Sequence, residues 1–135
     1  MIPATASFMD ILSAAESRNA KGIQSANKYR NRKIRIDGLT FASMKEARRY
    51  YELSWMQRSG DITGLKTQVP FELIPAQKDA DGRTAERAVR YIADFVYTTK
   101  DGARVVEDAK GVKTQEYIIK RKLMLWVYGI RIREV

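Results

Sequence analysis

The sequence predicts an α/β domain, a mixed β-sheet covered by helices, and three observations predict it. Two segments, 44–58 and 114–128, read as helices, the first behind a capping box and each stopped by a glycine. Between them lie extended segments at 66–74, 89–97 and 103–110, the last two joined through Asp101-Gly102, a hairpin signal. The final stretch, IRIREV over 130–135, alternates perfectly and predicts a closing strand.

In chain order, the first 27 residues are rich in Ala and Ser, with a short helix expected around 7–17. KYRNRKIR follows as a basic run, and then 34–37 alternates well enough for a strand, with Gly38 supplying a turn. Ser43-Met44-Lys45-Glu46 has the S-x-x-E spacing of a capping box, which starts the first helix. Ala47, Tyr50, Tyr51, Leu53, Trp55 and Met56 form its apolar stripe, and Ser59-Gly60 closes it. Pro70 confines the strand at 66–74 to a sheet edge or a bulge, because it has no N–H for a ladder. The polar stretch 75–88, with Asp81-Gly82, reads as a long loop. The strand VRYIADFVY and its partner ARVVEDAK come next, Gly111 ending the second. The helix at 114–128 is stopped by Gly129, and Ile118, Ile119, Leu123, Leu125, Trp126 and Val127 are its expected core positions.

Composition bounds the chemistry. A chain of 135 residues with two Trp, seven Tyr and four Phe can fill one ordinary core. No apolar run approaches the roughly 20 residues of a membrane-spanning helix. The opening MIPATASFMDILSAAES lacks a basic start and contains Asp10, so it does not read as a secretory signal, and a cytoplasmic setting is expected. With neither cysteine nor histidine, disulfides, the usual zinc sites and His-dependent triads are excluded. Hydrolysis would have to be run by carboxylates, lysines and a hard cation. Lys and Arg number 25 against 16 Asp and Glu, a net charge of +9 that favours a polyanionic partner. No segment is a basic amphipathic helix suited to lipid, so nucleic acid is the expected partner rather than a membrane.

The residues able to do chemistry sit on the hairpin. Asp94 lies between Ala93 and Phe95 in an apolar strand, where an ionised group is rarely placed without a partner or ion. Asp108 and Lys110 alternate on the partner strand and so share a face, while Glu107 and Ala109 point the other way. Two carboxylates brought together at a sheet end repel unless a cation bridges them, and Mg²⁺ suits a few carboxylate oxygens plus water and phosphate. Lys110 on the same face could orient a water or stabilise transition-state charge. The plain alternative is a surface hairpin whose charges face solvent. Glu46 has a sufficient structural role in the capping box, which is the reading periodicity favours, and could also reach a metal site. Glu107 is expected as a salt-bridge partner or solvated, and Gln68 as structural, with a site contact as its alternative. Lys28, Arg30, Arg32 and Lys33, with Tyr29 as a stacking face, could track phosphates or form a solvated arm. Lys113, Lys120, Arg121 and Lys122 could hold phosphates beside the cut or line a solvated helix face.

At these residues the chain resembles the PD-(D/E)xK nuclease superfamily, and more narrowly a family of small phage-encoded proteins long catalogued as a domain of unknown function. The blocks that carry it are NKYRNRK, DGLTFASMKEARRYYEL, GDITGLKTQVPFELIP, YIADFVY and VVEDAKG, in that order. The resemblance covers about 27–135 as one nuclease-like domain and leaves 1–26 as an N-terminal extension. It implies a restriction-endonuclease-like fold, in which Asp94 and Asp108 bind Mg²⁺ and Lys110 is the catalytic lysine. It also implies that Glu46 is an active-site acid and metal ligand, in addition to capping its helix. Mn²⁺ is an alternative to Mg²⁺. Ala93 stands where the motif's name has proline, and Asp rather than Glu stands at 108. The function so implied is a metal-dependent DNA endonuclease, selective for branched or Holliday junction DNA in phage recombination or packaging. It would act in the host cytoplasm, as a homodimer if junctions receive two symmetric cuts. The alternatives are a DNA-binding accessory protein on the same fold and a protein-interaction module with a basic surface.

Overall fold

The computed structural model describes residues 8–9 and 33–135. The chain divides into two compact units, Met1–Leu53 and Ser54–Val135. The boundary falls inside helix α1 (Met44–Arg58), whose bounds match those expected from its cap and stripe.

In the first unit, strands β1 (Ile34–Ile36) and β2 (Leu39–Phe41) pair antiparallel, Ile34 opposite Phe41 and Ile36 opposite Leu39. The two residues between them, Asp37 and Gly38, have φ of 52° and 76°. That is the type I′ geometry that Asp-Gly favours and that matches the twist of a hairpin. β2 was not expected from sequence, because three residues are too few to display alternation. The Glu46 N–H donates to Ser43 Oγ at 3.2 Å, which makes Ser43 the expected cap of α1. Ile34, Ile36, Phe41, Ala47 and Leu53 are buried. Of the helix expected near 7–17, Phe8 and Met9 are helical, and the remainder lies outside the described residues, as does the rest of the expected extension at 1–26.

The second unit holds β3 (Ile62–Ile74), β4 (Gln77–Lys78), β5 (Thr84–Glu86), β6 (Val89–Thr99), β7 (Arg104–Asp108), α2 (Gln115–Tyr128) and β8 (Arg133–Glu134). Its main sheet has the order β3-β6-β7-β8, with β8 parallel to β7 and the other pairs antiparallel. The fold is therefore a mixed α/β arrangement, as predicted. β3 is an edge strand, one of the two places that Pro70 allowed it. It begins earlier than expected because a register shift between Thr63 and Lys66, beside left-handed Gly64, breaks the period-2 pattern. The expected loop at 75–88 contains the small β4–β5 hairpin, wholly exposed and so without an apolar alternation to announce it.

Phe71, Leu73, Tyr91, Ala93, Val96, Val106, Tyr117, Met124 and Ile132 form the core between this sheet and α2. Thr114 Oγ1 accepts the Tyr117 N–H at 3.2 Å, and Gly129 closes the helix at φ 67° with its N–H on Leu125 O. The expected core of α2 needs correction. Ile118 and Leu123 are partly buried against the cluster, but Ile119, Leu125, Trp126 and Val127 are exposed, Trp126 by 86%. Apolar residues occur all round the last two turns, so periodicity could not choose a face. The sheet chose the side of Tyr117 and Met124. β8 is shorter than expected, although Ile132 does point into the core.

Candidate active site

The site is assembled where the β6–β7 ladder ends. The pairing register runs Thr98↔Arg104, Tyr97↔Val105, Val96↔Val106 and Phe95↔Glu107. Asp94 and Asp108 are the next residue on each strand. Asp94 then leaves the ladder's pattern: its Oδ2 accepts the backbone N–H of Ala109 at 2.9 Å. That bond clamps the Asp108-Ala109-Lys110 segment to β6 after regular pairing has stopped. Gln68 of β3 approaches from the other side, its Nε2 donating to Asp94 Oδ1 at a long 3.4 Å.

Asp108 is 1% exposed, and its two oxygens meet different surroundings. Oδ2 accepts a 2.7 Å hydrogen bond from the buried hydroxyl of Tyr91. Oδ1 is buried with no hydrogen-bond partner, and the Lys110 ammonium stands 3.9 Å from it, within ion-pair range but beyond a hydrogen bond. A buried carboxylate oxygen left in this way costs about 1–3 kcal/mol or more. Oδ1 therefore fits a cation, and the donor set of two hard carboxylates suits Mg²⁺ or Mn²⁺ completed by water and phosphate. Among the described residues no three Asp, Glu, His or Cys groups gather into a metal-holding set.

Two tyrosines that sequence reasoning passed over border the acids. Burial first, and then the hydrogen bond to Asp108, hold the Tyr91 phenol far above its ordinary range. Tyr117 lies with its ring centroid 6.4 Å from that of Tyr91, and its buried hydroxyl has no hydrogen-bond partner. Burial, followed by the negative charges of Glu134 and Asp108, pushes Tyr117 up to about 12. Asp94 and Asp108 both act on both phenols, which places all four groups in one electrostatic neighbourhood. Lys110 Nζ sits 5.1 Å from the Tyr117 ring centroid and the Arg121 guanidinium 5.9 Å, both within cation–π range.

Glu134 is the other acid of this region that sequence did not single out. β8 pairs it with Asp108 in parallel register, and Lys113 and Arg121 each reach its carboxylate at 2.8 Å. The hydrogen bond from Lys113, then that from Arg121, holds Glu134 below the usual carboxylate value. Lys120 pairs with Glu116 at 3.0 Å one turn back, and Lys122 is exposed. Three of the four basic residues expected to hold phosphate here thus already carry an acidic partner. Lys33 is exposed, while Lys28, Arg30 and Arg32 lie outside the described residues.

Glu107 points to the opposite face, as expected, and of its two expected roles it takes that of a salt-bridge partner. It is fully buried, accepts the Tyr97 hydroxyl, and has Arg133 Nη1 3.9 Å away. Gln68, for which a structural role was the favoured reading and a site contact the alternative, reaches Asp94. Glu46, described within the first unit, is buried in the first turn of α1.

Residues 26–133 match the family model described as "Protein of unknown function (DUF1064)", which is well over half of the chain, and the protein belongs to that family. No curated protein and no solved structure matches it. No helix among the described residues is long and apolar enough to cross a membrane.

Proposed function

We propose that the protein is a metal-dependent DNA endonuclease of the PD-(D/E)xK class, with Asp94 and Asp108 as metal ligands and Lys110 as the catalytic lysine. One observation carries this reading: the buried Asp108 carboxylate, held through Oδ2 by Tyr91, keeps an unbonded Oδ1 beside Lys110, on a segment that Asp94 binds through the Ala109 N–H. A protein with no chemistry to do gains nothing from that arrangement and loses stability by it.

Mg²⁺, or Mn²⁺, bound there would polarise a phosphodiester and acidify a water. The chain's own residues supply the rest. The Ala109 N–H and the Gln68 amide fix Asp94, and the Tyr91 hydroxyl fixes Asp108, so both carboxylates are oriented before substrate arrives. The Lys110 ammonium, restrained by Asp108 and the Tyr117 ring, can neutralise charge that develops on a phosphate oxygen. Lys28, Arg30, Arg32, Lys33 and Lys122 are proposed to hold the flanking backbone. Lys113, Lys120 and Arg121 would do so only by sharing or exchanging their acidic partners. Glu46 enters this reading through the resemblance alone. Branched or junction DNA as substrate, a homodimer as the acting form and the host cytoplasm as its setting belong to the same proposal.

The test is cleavage of labelled duplex, single-stranded, flapped and four-way junction DNA with Mg²⁺, Mn²⁺ or EDTA, with Asp108→Ala and Glu46→Gln protein alongside. Cutting that needs the metal and is lost in Asp108→Ala, with DNA binding retained, is the expected result. A second reading, a DNA-binding accessory protein, draws on the absence of a third clustered acid among the described residues. Salt-sensitive binding without cleavage under any metal would establish that reading instead.

A further inference from the structure

Strand β3 contains an irregularity that packing alone does not require. Gln68 has φ of 52°, a left-handed conformation in the middle of a thirteen-residue strand. Only glycine visits this region freely, and a long side chain there is strained. The ladder with β6 passes from Thr67↔Phe95 directly to Val69↔Ala93, so the interruption falls opposite Asp94. Strand β6 changes face at the same place. Tyr91 and Ala93 point into the core, and so does Val96, although residues three apart in an unbroken pleat face opposite ways. The side chain carried on this strained backbone has its amide on Asp94 Oδ1. A residue held in a sparsely populated conformation and touching a candidate ligand marks function rather than folding.

We infer that Gln68 is a positioning residue: the left-handed break in β3 aims its amide at Asp94 and fixes that carboxylate beside Asp108 in the orientation a divalent cation needs. Ala109 N–H bonds one oxygen of Asp94 and the Gln68 amide the other, so rotating the carboxylate would break both contacts. This rests on the proposed nuclease reading for its purpose, but not for its geometry.

Gln68→Gly and Gln68→Asn in the full-length protein test it, since both residues suit a left-handed backbone better than Gln and neither carries an amide that reaches Asp94. The measurements are melting temperature without metal, Mn²⁺ affinity by calorimetric titration, and the Mg²⁺ dependence of DNA cleavage. Melting temperature is expected to hold or rise. Mn²⁺ affinity and cleavage rate should fall by roughly 10–100-fold, the usual effect of losing a group that orients a metal ligand, with KM for DNA unchanged. Wild-type Mn²⁺ affinity in both variants, or a melting temperature that falls in step with activity, would overturn the inference. So would a wild-type protein that binds no Mn²⁺. If the wild-type protein binds Mn²⁺ but cuts no DNA, the nuclease reading fails by itself, and the Mn²⁺ affinities of the variants still decide the role of Gln68.

Discussion

At Asp108 a single hydroxyl decides which oxygen is left to bind an ion. Tyr91→Phe removes that hydroxyl and little else, leaving Oδ2 as unmet as Oδ1. The variant should lose about 1.5–3 kcal/mol of stability in metal-free buffer, the range for a hydrogen bond to a charged group. Thermal melts with and without Mg²⁺ check this: the deficit should shrink in Mg²⁺, and an equal deficit in both would mean that no ion reaches Asp108. Asp94, Asp108 and Lys110 were legible in the sequence because charged residues interrupt apolar strands there. Tyr91 and Tyr117 were not, since a strand or helix tyrosine in an apolar run reads as core, which both also are. Glu134 was hidden for another reason: in IRIREV it falls on the face of Ile130 and Ile132, and a single acid ending a short strand gives no sign of a partner.

Among the elements, α2 shows how one helix can be ordered by its ends and one face. Gly129, at φ 67°, should resist any side chain, and Gly129→Ala should cost about 1 kcal/mol in denaturant unfolding. Met124→Ala should cost about 2–5 kcal/mol, because Met124 is fully enclosed by the core. Trp126→Ala should cost less than about 0.5 kcal/mol despite removing the larger side chain, since Trp126 lies open to solvent. The reverse order would show that the apolar outer face of α2 is covered in solution. The join between α2 and β8 is electrostatic. With its carboxyl held below the ordinary 4.5, Glu134 stabilises the folded form above that value and stops doing so as pH falls through its folded value. Hydrogen exchange at the Val135 amide, which donates to Asp108 O at 3.0 Å, should therefore accelerate below about pH 4.5 relative to core amides.

For the whole molecule, a charge of +9 predicts DNA binding that weakens steeply with salt. Replacing Lys28, Arg30, Arg32 and Lys33 together by Ala should lower the slope of log K against log salt by up to about 3.6, at about 0.9 per lost phosphate contact. An unchanged slope would mean that the basic run is a solvated arm. The same substitution of Lys113, Lys120 and Arg121 should change the slope much less, because those cations already serve Glu134 and Glu116. Counting charges along the sequence does not show that Lys113, Lys120 and Arg121 are ion-paired; their places in the fold do.

The sequence by itself determined the mixed α/β class, both long helices with their caps, the acid-bearing hairpin and the sign of the surface charge. These follow from short-range physics: side-chain periodicity, cap chemistry at Ser43 and Gly129, and the turn preference of Asp101-Gly102. Tertiary structure alone decided which side of α2 is core, that Glu107 is buried, that β8 lies parallel beside Asp108, and that Tyr91, Gln68 and Glu134 border the candidate site. Each of these depends on partners distant in sequence, as with the separation of seventeen from Tyr91 to Asp108 or of twenty-six from Gln68 to Asp94. Local propensity carries no information about which distant strand supplies a neighbour; that choice is made by register, and register is settled only when the sheet packs.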